Sequence, residues 1–229
     1  MIRKENLEAT LKAIGYIQST RTNVFEKKYA QFDCTIEVDF NGNGSINYPE
    51  EKGMKITRKT TCNFSQPENF VVLECITRLM DKGYRPEHIE LEKEWTLGHS
   101  DKGGFADILV KDADGKTLFI IECKTPGTEY KKELNNTLND GGQLFSYWKQ
   151  EGYCKWLSLY ASDFDVLYFS LSKSSFNPSS NLSVISCTFC FSVLSSAIIN
   201  LHIFIFLHDK RQPAMDCLLH NHTIKIKLL

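Results

Sequence analysis

The sequence predicts an α/β layer fold, and three observations carry that expectation. Phe70, Leu73, Ile76, Leu79 and Met80 recur at helical spacing between Gln66-Pro67-Glu68 and Gly83. Three strand-like runs follow, Ile89–Leu97, Phe105–Val110 and Thr117–Lys124, with turn chemistry at Asp112-Ala113-Asp114-Gly115. A helical stretch over 140–150 and a last strand over 155–161 complete the order helix, three strands, helix, strand.

Each element has its own local reason. Glu5–Ile14 reads as a short helix stopped by Gly15. Cys34 to Phe40 alternates with period two, Asn41-Gly42-Asn43-Gly44 supplies a turn, and Ser45–Tyr48 returns as a second strand. No catalytic constellation shows in this lead-in. In the 89–97 run, Glu alternates with Ile89, Leu91 and Trp95. Leu118-Phe119-Ile120-Ile121 is continuously apolar, as a strand buried on both faces requires. Gly98 to Gly104 is read as a loop.

Composition divides the chain into a lead-in over residues 1–65, a core over 66–165, and an atypical apolar, Ser-rich tail over 166–229. From Ser174 to His208 there is no Asp, Glu, Lys or Arg. Three readings of the tail stand side by side. It is sequence never selected to fold, or buried strands, or a membrane span, since Leu182 to Leu207 has the length for one. Its many Ser, with Asn200 and His202, dilute the membrane signal. The net charge of −1 gives no overall basic field, although a local basic cleft fits within a balanced total. The eight Cys are irregularly spaced, and the opening Met1-Ile2-Arg3-Lys4-Glu5-Asn6 is not an apolar leader, so reduced thiols and a cytoplasmic location are expected.

The chemistry concentrates in the hairpin. Glu122 and Lys124 are two apart on one strand and share a face. Counting back from the Asp112–Gly115 turn sets Asp107 within about two residues of Glu122 across the ladder. Two acids at the end of an apolar hairpin are costly to bury unpaired, and a divalent cation removes that cost. Carboxylates with a backbone carbonyl, water and a phosphate oxygen suit Mg²⁺, with Mn²⁺ as a substitute. Asp107 and Glu122 are therefore expected to hold the metal, with the carbonyl of Cys123 as a further ligand. Lys124 is expected to position the water or stabilise developing charge. A bare Asp…Glu-x-Lys is more often a surface ion pair; the apolar strand running into Glu122-Cys123-Lys124 and then Thr125-Pro126-Gly127 is rarer.

Asp107-Ile108-Leu109-Val110 and Phe119-Ile120-Ile121-Glu122-Cys123-Lys124 resemble the PD-(D/E)XK nuclease core at the N-terminus of type I restriction enzyme R subunits. They are also similar to the N-terminal nuclease of fused restriction–methyltransferase proteins. The resemblance spans roughly residues 65 to 162, with Ala106 before Asp107 where the motif name has proline. It implies a restriction-endonuclease-like mixed sheet flanked by helices and an Mg²⁺-dependent endodeoxyribonuclease of a restriction-modification system. The implied partners are double-stranded DNA and methyltransferase and specificity subunits or domains, with no small-molecule substrate and no membrane. A Gln followed four residues later by Tyr marks the family, and Gln143 and Tyr147 match it on the helix after the Glu-x-Lys strand. The family's Glu on the preceding helix matches Glu74, with Glu68 as the alternative. No helicase phosphate loop or methyltransferase motif is present, so an excised or truncated nuclease domain is expected. An inactive DNA-binding or assembly module is the alternative.

Two further patterns compete. Cys187 and Cys190, with Cys217 and His220, have zinc-like spacing at each end, although a CxxC in an uncharged run is more often chance. Lys102, Lys131 and Lys132 are candidate phosphate contacts, or else solvated charges of a loop.

Overall fold

The computed structural model describes residues 1–95, 104–140, 142–151 and 153–163, and the strands 187–189 and 199–206. The chain is α/β. The lead-in holds helix α1 (Lys4–Ala13) and an antiparallel sheet of β1 (Ile17–Gln18), β2 (Val24–Tyr29), β3 (Cys34–Asp39) and β4 (Ser45–Asn47), in that order. Along β3, Cys34, Ile36 and Val38 are buried and their neighbours half-buried, as the period-two pattern requires.

A larger mixed sheet forms the core. It contains β5 (Lys55–Ile56), β6 (Ile89–Trp95), β7 (Gly104–Lys111), β8 (Thr117–Cys123), β9 (Trp156–Asp163), β10 (Cys187–Phe189) and β11 (Ile199–Phe206). Their order is β10-β11-β9-β8-β7-β6-β5. Strands β5 and β6 are parallel, as are β8 and β9; the other pairs are antiparallel. Thus 199–206, within the stretch read as an apolar tail, pairs with β9.

Helix α2 (Glu68–Asp81) lies between the two sheets. Val71, Val72, Leu73, Ile76 and Met80 are all buried, and so are Glu74 and Thr77. A helix buried on nearly all sides needs partners all round. On one side it meets the core sheet through Ile89, Leu91, Ile108, Val110 and Ile121; on the other it meets Leu7, Leu11, Tyr16 and Tyr29 of the lead-in. The hydroxyl of Tyr16 pairs with Thr77 Oγ1 at 3.0 Å, and that of Tyr29 donates to the Thr77 carbonyl at 3.3 Å. Each fully buried aliphatic side chain contributes roughly 1.5–3 kcal/mol, so residues 1–65 act as the second wall of α2.

The opposite face of the core sheet is covered by α3 (Thr128–Asp140) and α4 (Gly142–Glu151). Sequence reasoning expects only the second, starting at Asp140. Helix α3 carries few apolar residues and several poor helix formers, Asn135, Asn136 and Thr137. It buries the narrow line Tyr130, Glu133 and Thr137. Lys131 and Lys132 are thus exposed helix residues, not loop residues. Residues 96–103, with Lys102 and the end of the strand expected to reach Leu97, lie outside the described residues. The Cys190, Cys217 and His220 positions and the Cys187 side chain also lie outside them. The described cysteines Cys34, Cys62, Cys75, Cys123 and Cys154 are free thiols. Among the described residues no helix is long and apolar enough to cross a membrane.

Candidate active site

The site begins with the β7–β8 turn. Asp112 Oδ1 accepts the backbone N–H groups of Asp114 at 3.0 Å and Lys116 at 2.9 Å. Gly115 takes the left-handed φ of 79° that the turn needs. Beyond the turn the ladder shifts register between Val110 and Lys111 and then runs Val110↔Phe119, Leu109↔Ile120, Ile108↔Ile121. Continuing it by one residue sets Asp107 opposite Glu122, so both project from the same sheet face. The backbone N–H of Cys123 donates to Asp107 Oδ2 at 2.7 Å and pins that carboxylate to the ladder.

Lys124 completes the group. Its Nζ donates to Glu122 Oε1 at 2.6 Å and to Glu68 Oε1 at 3.2 Å. Asp107, Glu122 and Lys124 are therefore brought together, and Glu68, at the first turn of α2, joins them. Glu74 does not. It is buried deeper along α2, where it pairs with Arg78 and accepts the hydroxyl of Tyr160. Six residues of helix displace it by about 9 Å from Glu68, so it meets the middle of β9 and not the strand ends.

Burial dominates the electrostatics. Asp107 is pushed up to about 7 by burial, against Lys124; Glu68 and Glu92 add to the rise and the Cys123 amide opposes it. Glu122 is held well above the ordinary carboxylate range by burial and then by the charge of Asp107. Burial pulls Lys124 down, but Glu122, Asp107 and Glu68 together outweigh it and raise the ammonium. The cluster carries three carboxylates against one ammonium and is short of positive charge.

A divalent cation fits that shortage. Glu122 Oε2 is buried with no hydrogen-bond partner among the described residues. Such an oxygen costs about 1–3 kcal/mol unless something satisfies it. Among the described residues no three His, Cys, Asp or Glu side chains form a ready-made metal cage. A carboxylate pair completed by a carbonyl and water is the arrangement Mg²⁺ accepts.

Helix α4 lies on the same face. Tyr147 is buried, stacked on Trp95 with ring centroids 5.2 Å apart, and its hydroxyl accepts from Gln143 Nε2 at 3.1 Å. Its hydroxyl is raised by burial and then by the charges of Glu122 and Asp107. Gly104 leaves room for it: a Cβ there would lie 2.5 Å from Tyr147 Cε1. Gln143 itself is exposed at the start of α4.

Sequence reasoning misses Glu92. It lies across from Asp107, between the pairs Leu91↔Ile108 and Lys93↔Ala106, and has a φ of 51°. Alternation breaks there: Leu91 and Ile108 face α2, whereas Trp95 and Ala106 face α4. Such an irregularity re-aims side chains beside functional sites. Glu92 is buried and accepts the backbone N–H of Thr61 at 2.7 Å and the Thr60 hydroxyl. It borders a cleft of about 690 Å³ that also reaches Arg58, Glu68, Phe105, Asp107 and Glu129.

Residues 67–163 match the family model described as type I restriction enzyme R protein N terminus. This is the family that the motifs around Asp107, Glu122 and Lys124 resemble, and the match is confined to this segment of the chain. The matched stretch contains Asp107, Glu122, Lys124, Gln143 and Tyr147, together with Glu68, Glu74 and Glu92; Arg58 precedes it. No curated protein matches the chain.

Proposed function

We propose that this R-protein N-terminal domain is an Mg²⁺-dependent endodeoxyribonuclease that hydrolyses phosphodiester bonds of double-stranded DNA within a restriction-modification system. The observation that carries the proposal is the group Asp107, Glu122 and Lys124 at the hairpin end, short of positive charge, with Glu122 buried, the other two half-buried, and Glu122 Oε2 unpartnered among the described residues. Asp107, Glu122 and the carbonyl of Cys123 would hold Mg²⁺, or Mn²⁺ in its place. When bound, the ion lowers the pKa of a water and polarises a phosphoryl oxygen.

The chain's own residues supply the rest. The Cys123 amide holds Asp107 in place. Glu122 and Glu68 orient the Lys124 ammonium, which stabilises the negative charge that grows on the phosphate oxygens. Tyr147 closes the apolar side of the site against Trp95, and Gln143 fixes its hydroxyl. Methyltransferase and specificity subunits are the partners this reading calls for, and the cytoplasm is where it sets the reaction.

Calorimetry with Mg²⁺ and a plasmid-nicking assay supplied with partner subunits test the reading together. Asp107→Ala and Glu122→Ala are expected to lose metal binding, since a methyl cannot replace an anionic ligand. Lys124→Ala is expected to keep metal binding and lose nicking. A wild-type chain that binds duplex but never nicks it would leave the DNA-binding or assembly module as the function.

A further inference from the structure

The cleft above Asp107 has the wrong sign for its proposed substrate. Glu68, Glu92, Asp107 and Glu129 border it, and among its described lining residues Arg58 is the one side-chain cation. A phosphodiester strand approaching four carboxylates is repelled unless fixed positive charge meets it. Lys124 is already committed to Glu122 and Glu68.

Arg58 is held for such a task. Its guanidinium carbon sits 4.1 Å from the centroid of the Phe105 ring, and its Nε is 3.7 Å from Glu92 Oε2. Phe105 precedes Asp107 by two residues on β7, about 7 Å along the strand. Glu92 supports the same arm from beneath through Thr60 and Thr61. The Arg58 side chain is nonetheless 45% exposed, so part of its fork is free to meet a ligand. A stacked, weakly hydrated guanidinium suits phosphate oxygens better than a mobile ammonium does.

We infer that Arg58, carried by the lead-in outside the family-matched segment, is the phosphate-binding arm of the cleft and takes a backbone phosphate beside the one presented to Asp107. The inference rests on the nuclease reading and extends it to how the strand is gripped. Glu92 and Phe105 act as positioning residues for the guanidinium.

The test is fluorescence anisotropy of a labelled DNA duplex across a salt series, with Ca²⁺ in place of Mg²⁺ so that the duplex stays uncut. Mg²⁺ calorimetry on the same proteins runs in parallel. Arg58→Gln is expected to bind duplex roughly tenfold more weakly, with a slope of log affinity against log salt shallower by about one. Its Mg²⁺ affinity should not fall. Arg58→Lys keeps the charge and should keep the slope while losing part of the affinity. A slope unchanged in Arg58→Gln, or lost equally in both variants, overturns the arm while leaving the nuclease reading intact. A wild-type chain that binds no duplex overturns both.

Discussion

Asp107→Asn is expected to stabilise the metal-free protein while destroying the proposed metal site. In the folded chain the Asp107 carboxyl is pushed up to about 7, chiefly by burial. In the unfolded chain it titrates near 3.9. Below pH ~4 both states hold the proton and the group has no effect. Between pH ~4 and ~7 the folded state binds the extra proton, so stability falls as pH rises. Above pH ~7 the whole cost is felt: about three units at ~1.4 kcal/mol each, or roughly 4 kcal/mol. Asparagine carries no such charge and can still accept the Cys123 N–H through its carbonyl oxygen. After allowance for its less satisfied amide, a gain of roughly 2–3 kcal/mol at pH 8 is expected, shrinking to ~1 kcal/mol or less at pH 5. Urea unfolding followed by circular dichroism, in EDTA at both pH values, measures it. Saturating Mg²⁺ should reverse the order, since only the wild type gains about 3 kcal/mol at a hundredfold excess over Kd. An asparagine variant no more stable than wild type at pH 8, or one whose advantage does not change with pH, would refute the burial argument.

Three further outcomes are expected. Gly104→Ala drives a Cβ to 2.5 Å from the Tyr147 ring and should cost about 1–3 kcal/mol, read by urea denaturation with loss of the Trp95 stacking signal in near-ultraviolet circular dichroism. Glu74→Ala removes the buried carboxylate that the half-buried Arg78 and the Tyr160 hydroxyl both engage and should cost roughly 3 kcal/mol, while Mg²⁺ calorimetry on the folded variant stays at the wild-type value. A chain ended after residue 165 should keep Mg²⁺ binding, because β9 separates the site from β11. A shortened chain that folds but binds no metal, when the full chain binds through Cys187, Cys190, Cys217 and His220, would point to a zinc module.

What the sequence makes legible here is what is local or periodic. The Asp112–Gly115 turn brings Asp107 within two residues of Glu122 by counting along two strands, but the register shift between Val110 and Lys111, which sets them directly opposite, is not visible in that count. The helical period of 68–81 locates α2 and marks its apolar side, but that period treats Glu68 and Glu74 as rivals. Only the end of α2 that overhangs the strand termini separates them, and that is a tertiary fact. Helix α3 escapes because burial of Tyr130, Glu133 and Thr137 outweighs weak propensity.

Glu92 is the position where local rules fail most informatively. Alternation through Glu90, Glu92 and Glu94 announces three equivalent acids on a solvated strand face. The structure instead buries Glu90 beside Lys93 and Lys111, turns Glu92 into a left-handed conformation across from Asp107, and binds it to Thr60 and Thr61. A non-glycine residue held there costs about 1–3 kcal/mol and persists only where its surroundings over-determine it. The surroundings that do so are the lead-in loop on one side and the β6–β7 ladder on the other. The strain thus lies at the junction between the family-matched segment and the residues before it, which is also where Arg58 is set over Phe105. A core read from residues 67–163 alone would contain Asp107, Glu122 and Lys124 but would lack Arg58 and the Thr60–Thr61 contacts that hold Glu92. The lead-in therefore both walls in α2 and supplies the one described side-chain cation among the residues lining the cleft.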